Sequence, residues 1–116
     1  MVLRYMDNNK NDSYYMNKAL LDINTIITYS NKKTYDEVIN DGQLVDAIMF
    51  RLIQLVKNIK NISREFKAEH HEIPCGDIIG FRNGIVHEYG ETDYTTVYEI
   101  ITKDIYQLKE LFECCL

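Results

Sequence analysis

The chain has 116 residues, a length that suits one folded domain and leaves no room for a second core. Its hydrophobic share of 46% and charged share of 27% are those of an ordinary globular protein, which excludes a low-complexity or collagen-like chain. A net charge of −5 excludes a protein that coats duplex nucleic acid with its whole surface, although a local basic site is still compatible with it.

Residues 1–12 are polar and rich in asparagine, so we predict a loose lead-in to a single domain that covers 13–116. The start of the chain does not read as a signal peptide. No apolar run approaches the roughly 20 residues that a membrane span needs. A cytoplasmic location without membrane attachment is therefore expected.

The first half of the chain predicts three helices. Asp12 or Ser13 can cap the first of them. Thr34 and Glu37 form the pattern of a capping box, which predicts a short helix over 35–40. The longest helix is predicted over about 43–69, because its apolar residues recur at steps of four and three, as in helices that pack side by side in a bundle. These residues are Ile48, Leu52, Leu55, Ile59, Ile62 and Phe66.

The second half predicts two more helices. Pro74 ends the long helix and suits the first turn of the next, over about 75–89, which Gly90 can stop. Thr92 or Asp93 then caps a last helix over about 94–114. Its predicted inward residues are Val97, Ile101, Ile105, Leu108 and Phe112. The predicted fold class is all-α, an up-and-down bundle of four main helices with a short extra helix.

The helix over 75–89 carries the most informative segment, Arg82-Asn83-Gly84-Ile85-Val86-His87-Glu88-Tyr89. Arg82 falls on the apolar stripe of this helix, beside Ile78. Burying a guanidinium costs several kcal/mol unless partners or water satisfy it, so such an arginine indicates a functional site or an interface. The alternative is that Arg82 and His87 are a structural hydrogen-bonded pair.

The pattern Arg-x4-His-x-Tyr, from Arg82 to Tyr89, resembles the signature of HEPN ribonuclease domains, and specifically that of the HepT-like toxin family. The resemblance covers nearly the whole chain, including Ile73-Pro74 and the order of the helices. It implies a HEPN-like bundle that acts as a metal-independent endoribonuclease toxin, without a cofactor. It also implies that Arg82 and His87 are catalytic, that Asn83 supports them, and that the composite site lies in a homodimer.

The resemblance implies one protein partner besides RNA and a second copy of the chain. This partner is a nucleotidyltransferase antitoxin of the MntA type, which transfers AMP to the hydroxyl of Tyr89. From the residues alone, the alternative for Tyr89 is an aromatic side chain that packs on the apolar stripe. The chain departs from the family pattern at Cys75, where tryptophan is usual, and at Lys57, where an acidic residue is common.

Helix geometry adds a constraint on the predicted catalytic pair. At 100° per residue, positions 82 and 87 lie about 140° apart around one helix, so a regular helix does not bring them together. Either the helix is distorted near His87 or two copies of the segment face each other across a two-fold axis. Two other functions stay open: a non-catalytic HEPN subunit that binds substrate for a nucleotidyltransferase, and a plain helical interaction domain.

Four basic residues recur at helical spacing in the long helix: Lys57, Lys60, Arg64 and Lys67. They predict a track for RNA or for an acidic partner surface, with a solvated helix face as the alternative.

The cysteine count is three, which is odd and predicts free thiols. His70, His71 and Cys75, perhaps with Cys114, are conceivable metal ligands. Because no paired ligand motif accompanies them, no metal site is predicted, and the histidines are assigned to a solvated helix end.

Overall fold

The computed structural model of the chain describes residues 10–87 and 93–116, and it describes their side chains except at 82–87. Within these ranges the chain is all-α, as predicted, with seven α-helices and one π-helical segment, Ile100–Asp104. The helices are α1 (Asp12–Ser30), α2 (Tyr35–Ile39), α3 (Gly42–Lys60), α4 (Arg64–Glu69), α5 (Cys75–His87), α6 (Tyr94–Glu99) and α7 (Ile105–Cys114). None of these helices is long and apolar enough to cross a bilayer.

The core lies between α1, α3, α5 and the helical stretch that ends in α7. Helix α1 packs along α3, α3 packs on α5, and α7 packs on α1. The predicted inward residues of the last helix are all buried. The apolar residues predicted to face inward from the long helix are also buried as far as Ile62, which lies just after the end of α3. Phe66 is half-buried against the core. The helical bundle predicted from the apolar spacing is therefore confirmed.

The helix starts follow from side chains that accept backbone N–H groups. The capping box is confirmed: Thr34 Oγ1 accepts from the N–H of Glu37 at 3.2 Å, and Glu37 Oε1 accepts from the N–H of Thr34 at 2.9 Å. The predicted cap of α1 is wrong. Asn11 caps it by accepting from the N–H of Tyr14 at 2.9 Å, while the Asp12 carboxylate binds elsewhere.

The predicted continuous helix over 43–69 is also wrong, because the chain breaks between Lys60 and Arg64. The Asp12 carboxylate accepts from the N–H of Ser63 at 2.7 Å and from its hydroxyl at 2.6 Å. The Ser63 Oγ in turn accepts from the N–H of Phe66 at 3.1 Å and caps α4. These bonds give the N–H groups of Ser63 and Phe66 side-chain acceptors in place of the carbonyls of a continuous helix. They therefore stabilise the break.

The two last predicted helices begin where expected. Helix α5 starts directly after Pro74, and Asp93 caps α6 by accepting from the N–H groups of Thr95 and Thr96 at 3.0 and 3.4 Å. The last helix is not a uniform α-helix, because the π-helical segment joins α6 to α7. Within this segment the Thr102 hydroxyl donates to the Tyr98 carbonyl at 2.6 Å.

Candidate active site

Helix α5 carries positions 82–87 of the predicted motif, and its first half is anchored firmly. Ile73 is buried just before the helix, and the N–H of Ile78 donates to the Pro74 carbonyl at 3.1 Å. Ile78 and Phe81 are half-buried and pack against the core. The scaffold therefore fixes the direction in which α5 runs into position 82.

Motif positions 82–87 lie on one regular helix, since α5 is α-helical through His87. Positions 82 and 87 are therefore about 140° apart around its axis, and position 87 is about 180° from Ile78. The side chains of Arg82, Asn83 and His87 lie outside the described residues, as does all of Tyr89. The assignment of Arg82 and His87 as catalytic, of Asn83 as supporting, and of Tyr89 as AMP acceptor stays a prediction.

A groove of about 350 Å³ runs beside α5, between α3 and α7. Its walls are mainly apolar, and its lining includes Leu55, Val56, Ile78, Phe81, Leu108 and Leu111. Among the side chains that the structure describes, the charged residues that line it are two carboxylates, Asp77 and Asp104. An apolar groove that carries negative charge is better suited to bind another protein than to bind the phosphate backbone of RNA. Sequence reasoning did not predict this groove, because its walls come from α3, α5, α7 and the π-helical segment, which are distant in the sequence.

The π-helical segment contributes to the same groove, since its first and last residues, Ile100 and Asp104, both line it. A π-helical turn adds a residue to the helix circumference, and such turns occur frequently at functional sites. The segment thus places an irregular stretch of helix opposite the anchored half of α5.

The predicted basic track does not lie on one continuous helix, which corrects the basis on which it was proposed. Lys57 and Lys60 belong to α3, whereas Arg64 and Lys67 belong to α4. Lys67 Nζ donates to the Lys60 carbonyl at 3.4 Å, so its ammonium lies over the junction between the two helices. Lys57, Lys60 and Arg64 are exposed. Whether these residues bind RNA or a partner stays a prediction.

A buried polar network joins α1 and α3, and it was not predicted from the sequence. Asp22 is 3% exposed and accepts from Arg51 Nη1 at 3.0 Å and from Asn58 Nδ2 at 2.8 Å. The signal was present in the sequence, because Asp22 stands on the apolar stripe between Ala19 and Ile26. This network fastens two core helices and has no described contact with α5.

The three cysteines are free thiols, as predicted. Cys75 is half-buried, and burial raises the pKa of its thiol while the nearby Lys67 opposes that rise. Of the histidines, His71 is exposed at the end of α4, but His70 is half-buried and contacts Cys115 at 3.4 Å rather than Cys75.

The chain matches a family model described as "Ribonuclease HepT-like" over residues 17–115. It is 31% identical over 101 residues to a Methanocaldococcus jannaschii protein named "Gamma-glutamylcyclotransferase and putative RNase". This match covers 87% of the chain but 46% of that protein, so the chain spans about half the length of this relative. It is 26% identical over 96 residues to a "Putative RNase" of Caldanaerobacter subterraneus, covering 83% of the chain and 86% of the relative. It is likewise 26% identical over 91 residues to the "Probable ribonuclease HepT" of Thermococcus cleftensis, covering 78% and 83%. No solved structure matches the chain.

Proposed function

Because the chain belongs to the HepT-like ribonuclease family, we propose that it is the toxin of a toxin–antitoxin pair and cleaves RNA without a metal ion. The observation that carries the proposal is the family match, which spans 17–115 and so includes Arg82 and His87 on one helix. Two relatives that the chain covers to 86% and 83% of their length are also named as ribonucleases.

The proposed chemistry uses the ribose next to the cleaved bond as the nucleophile. His87 takes the proton from the 2′-hydroxyl as this oxygen attacks the neighbouring phosphorus, because an imidazole ordinarily titrates near neutral pH. The forked donors of Arg82 bind the phosphoryl oxygens, where negative charge builds up in the transition state. The bond to the 5′-oxygen breaks, this oxygen takes a proton from water, and the products are a 2′,3′-cyclic phosphate and a 5′-hydroxyl end.

The proposed active unit is a homodimer. Two residues about 140° apart on one helix do not face the same phosphate, and a regular helix through His87 favours the two-fold arrangement over a local distortion. The apolar groove beside α5 offers a surface on which a second copy can pack. In that arrangement Arg82 of each protomer stands in a cleft between protomers that water and RNA can enter.

Silencing is proposed to act on Tyr89. A nucleotidyltransferase antitoxin joins the α-phosphorus of ATP to the Tyr89 hydroxyl oxygen, which loses its proton, and pyrophosphate leaves. The AMP group adds bulk and negative charge two residues after His87. RNA is then excluded by steric overlap and by repulsion between like charges.

Cleavage is tested with the purified chain and a labelled RNA in excess chelator. We expect 2′,3′-cyclic phosphate ends, and a loss of about 100-fold or more in Arg82→Ala and His87→Ala, in line with the removal of a general base or of a charge-stabilising donor. His71→Ala is the matched control, because His71 is exposed at the end of α4. RNA or nucleotide binding without cleavage would instead favour the substrate-binding subunit of a nucleotidyltransferase.

Tyrosine modification is tested by intact mass after incubation with the partner nucleotidyltransferase and ATP. We expect one or more AMP additions on the natural chain and none on Tyr89→Phe. Tyr106→Phe is the control, since Tyr106 is exposed and lies on α7, outside the motif. Additions that persist in Tyr89→Phe would contradict the assignment.

A further inference from the structure

Three side chains of metal-ligand type meet at the end of the bundle away from the motif. His70 ends α4, Glu72 follows in the next turn, and Cys115 follows the last residue of α7. The Nδ1 of His70 lies 3.3 Å from Glu72 Oε1 and 3.4 Å from Cys115 Sγ. The third side of this triangle, from Cys115 Sγ to Glu72 Oε1, measures 3.8 Å. We call these three residues the His70 cluster.

The triangle has the dimensions of one face of a zinc tetrahedron. Bond lengths of about 2.3 Å to sulfur, 2.05 Å to nitrogen and 2.1 Å to oxygen put the ligand atoms about 3.6 Å (S–N), 3.6 Å (S–O) and 3.4 Å (N–O) apart. The corresponding distances in the His70 cluster, 3.4, 3.8 and 3.3 Å, each agree with these values to about 0.2 Å, and the N–O distance is the shortest in both sets. A hydrogen-bonded ion pair between imidazolium and carboxylate is ordinarily shorter, at about 2.7–2.9 Å.

The surroundings hold His70 and the turn that follows it in place. The His70 ring stacks on Phe66 with centroids 4.3 Å apart, and the N–H of His70 donates to the Phe66 carbonyl at 3.0 Å. The buried Ile73 anchors the turn by donating its N–H to the His70 carbonyl at 3.1 Å. Glu72 is exposed, which leaves one side of the cluster open to solvent.

We propose that the His70 cluster binds a divalent zinc ion through Nδ1 of His70, the Glu72 carboxylate and the Cys115 thiolate, with water in the fourth position. This combination of sulfur, nitrogen and oxygen donors selects Zn²⁺ over Mg²⁺ and Ca²⁺, which take oxygen ligands. The thiol proton leaves to solvent as the Zn–S bond forms. The ion joins the C-terminal end of α7 to the connection that leads into α5. This site is separate from the proposed RNA chemistry.

Cobalt binding to the untagged, reduced full chain provides the direct test, because Co²⁺ bound to a thiolate has a charge-transfer absorption band. We expect one Co²⁺ per chain, displaced by Zn²⁺. Cys115→Ser should abolish the band, and His70→Gln should weaken Co²⁺ affinity by at least about 10-fold. The neighbouring residues provide matched controls: Cys114→Ser and His71→Gln should both keep the band and the affinity.

A second measurement does not depend on the cobalt spectrum. Zn²⁺ should raise the melting temperature of the natural chain and of Cys114→Ser, but not of Cys115→Ser, since an ion that binds only the folded state stabilises it. Absence of the charge-transfer band in the natural chain would overturn the proposal. Loss of binding in Cys114→Ser to the same extent as in Cys115→Ser would also overturn it. RNA cleavage in chelator bears only on the proposed function, so the two proposals fail independently.

Discussion

Asp22 is a buried carboxylate in the core of the bundle. Both of its oxygens have a donor: Arg51 binds Oδ1 and Asn58 binds Oδ2. The Asp22 side chain is 5% exposed and that of Arg51 is 31% exposed, so water still reaches the guanidinium. A buried ion pair of this kind adds little net free energy to the folded state. Removing one partner is nevertheless destabilising, because it leaves the other unsatisfied.

We expect Asp22→Ala to lower the free energy of unfolding by about 2–3 kcal/mol, because it leaves the Asn58 amide and a partly buried guanidinium without their acceptor. Chemical denaturation with a far-UV signal measures the change. Glu110→Ala on α7 is the control, since Glu110 is exposed and should change stability by less than about 0.5 kcal/mol. Equal effects of the two changes would show that the network adds nothing.

At the scale of single helices, the break after Lys60 depends on a side chain far away in the sequence. Asp12 and Ser63 are separated by 51 positions, and their two hydrogen bonds fasten the start of α1 to the start of α4. The junction therefore links two helix starts at one point.

We expect Ser63→Ala to lower the free energy of unfolding by about 1–2 kcal/mol, because alanine offers no cap to the Phe66 N–H and no hydroxyl to Asp12. Ser63→Thr retains the hydroxyl and should recover most of the loss. Both variants are compared by chemical denaturation. If Thr and Ala are equally destabilising, the hydroxyl is not the cause.

The hydrogen bonds at the start of α6 predict that the free energy of unfolding depends on pH. The Thr96 hydroxyl and the N–H groups of Thr96 and Thr95 donate to Asp93 and hold the pKa of its carboxyl below the ordinary value of 3.8. A lowered folded-state pKa gives stability that is present above that ordinary value and is lost as the pH falls through the folded-state pKa. We expect the natural chain to be more stable than Asp93→Asn at neutral pH, with the difference narrowing in acid. Denaturation curves at several pH values test this, and a constant difference would contradict it.

The helices themselves could be predicted from sequence because burial follows apolar spacing, as the inward residues of α6 and α7 show. The break at 61–63 could not be predicted, since apolar spacing at Ile59, Ile62 and Phe66 continues through it. The bonds at the break include one from the Ser63 N–H to Asp12, which belongs to another helix and is distant in the sequence. The same distinction between local and distant residues applies to the candidate site. Its motif positions are local in sequence and could be recognised, whereas the groove and the His70 cluster arise from packing between distant segments.

At the scale of the whole molecule, the groove is an apolar surface of the bundle that sequence reasoning did not foresee. It lies against the anchored half of α5, the helix that carries Arg82 and His87. Burial of its apolar lining by a second copy would be favourable, roughly in proportion to the area removed from water. It would also bring the Ile78 face of α5, and with it position 82, near the second copy.

We expect the natural chain to have twice the 13.7 kDa mass of one chain in light scattering at micromolar concentration. Leu111→Glu should give single chains, because it places a charge in the groove, where a second copy would have to desolvate it. Leu21→Glu is the matched control: Leu21 is 51% exposed on α1 and does not line the groove, so this variant should remain a dimer. Circular dichroism verifies that both variants fold. A natural chain of single mass, or the same loss in both variants, would refute dimerisation through this groove.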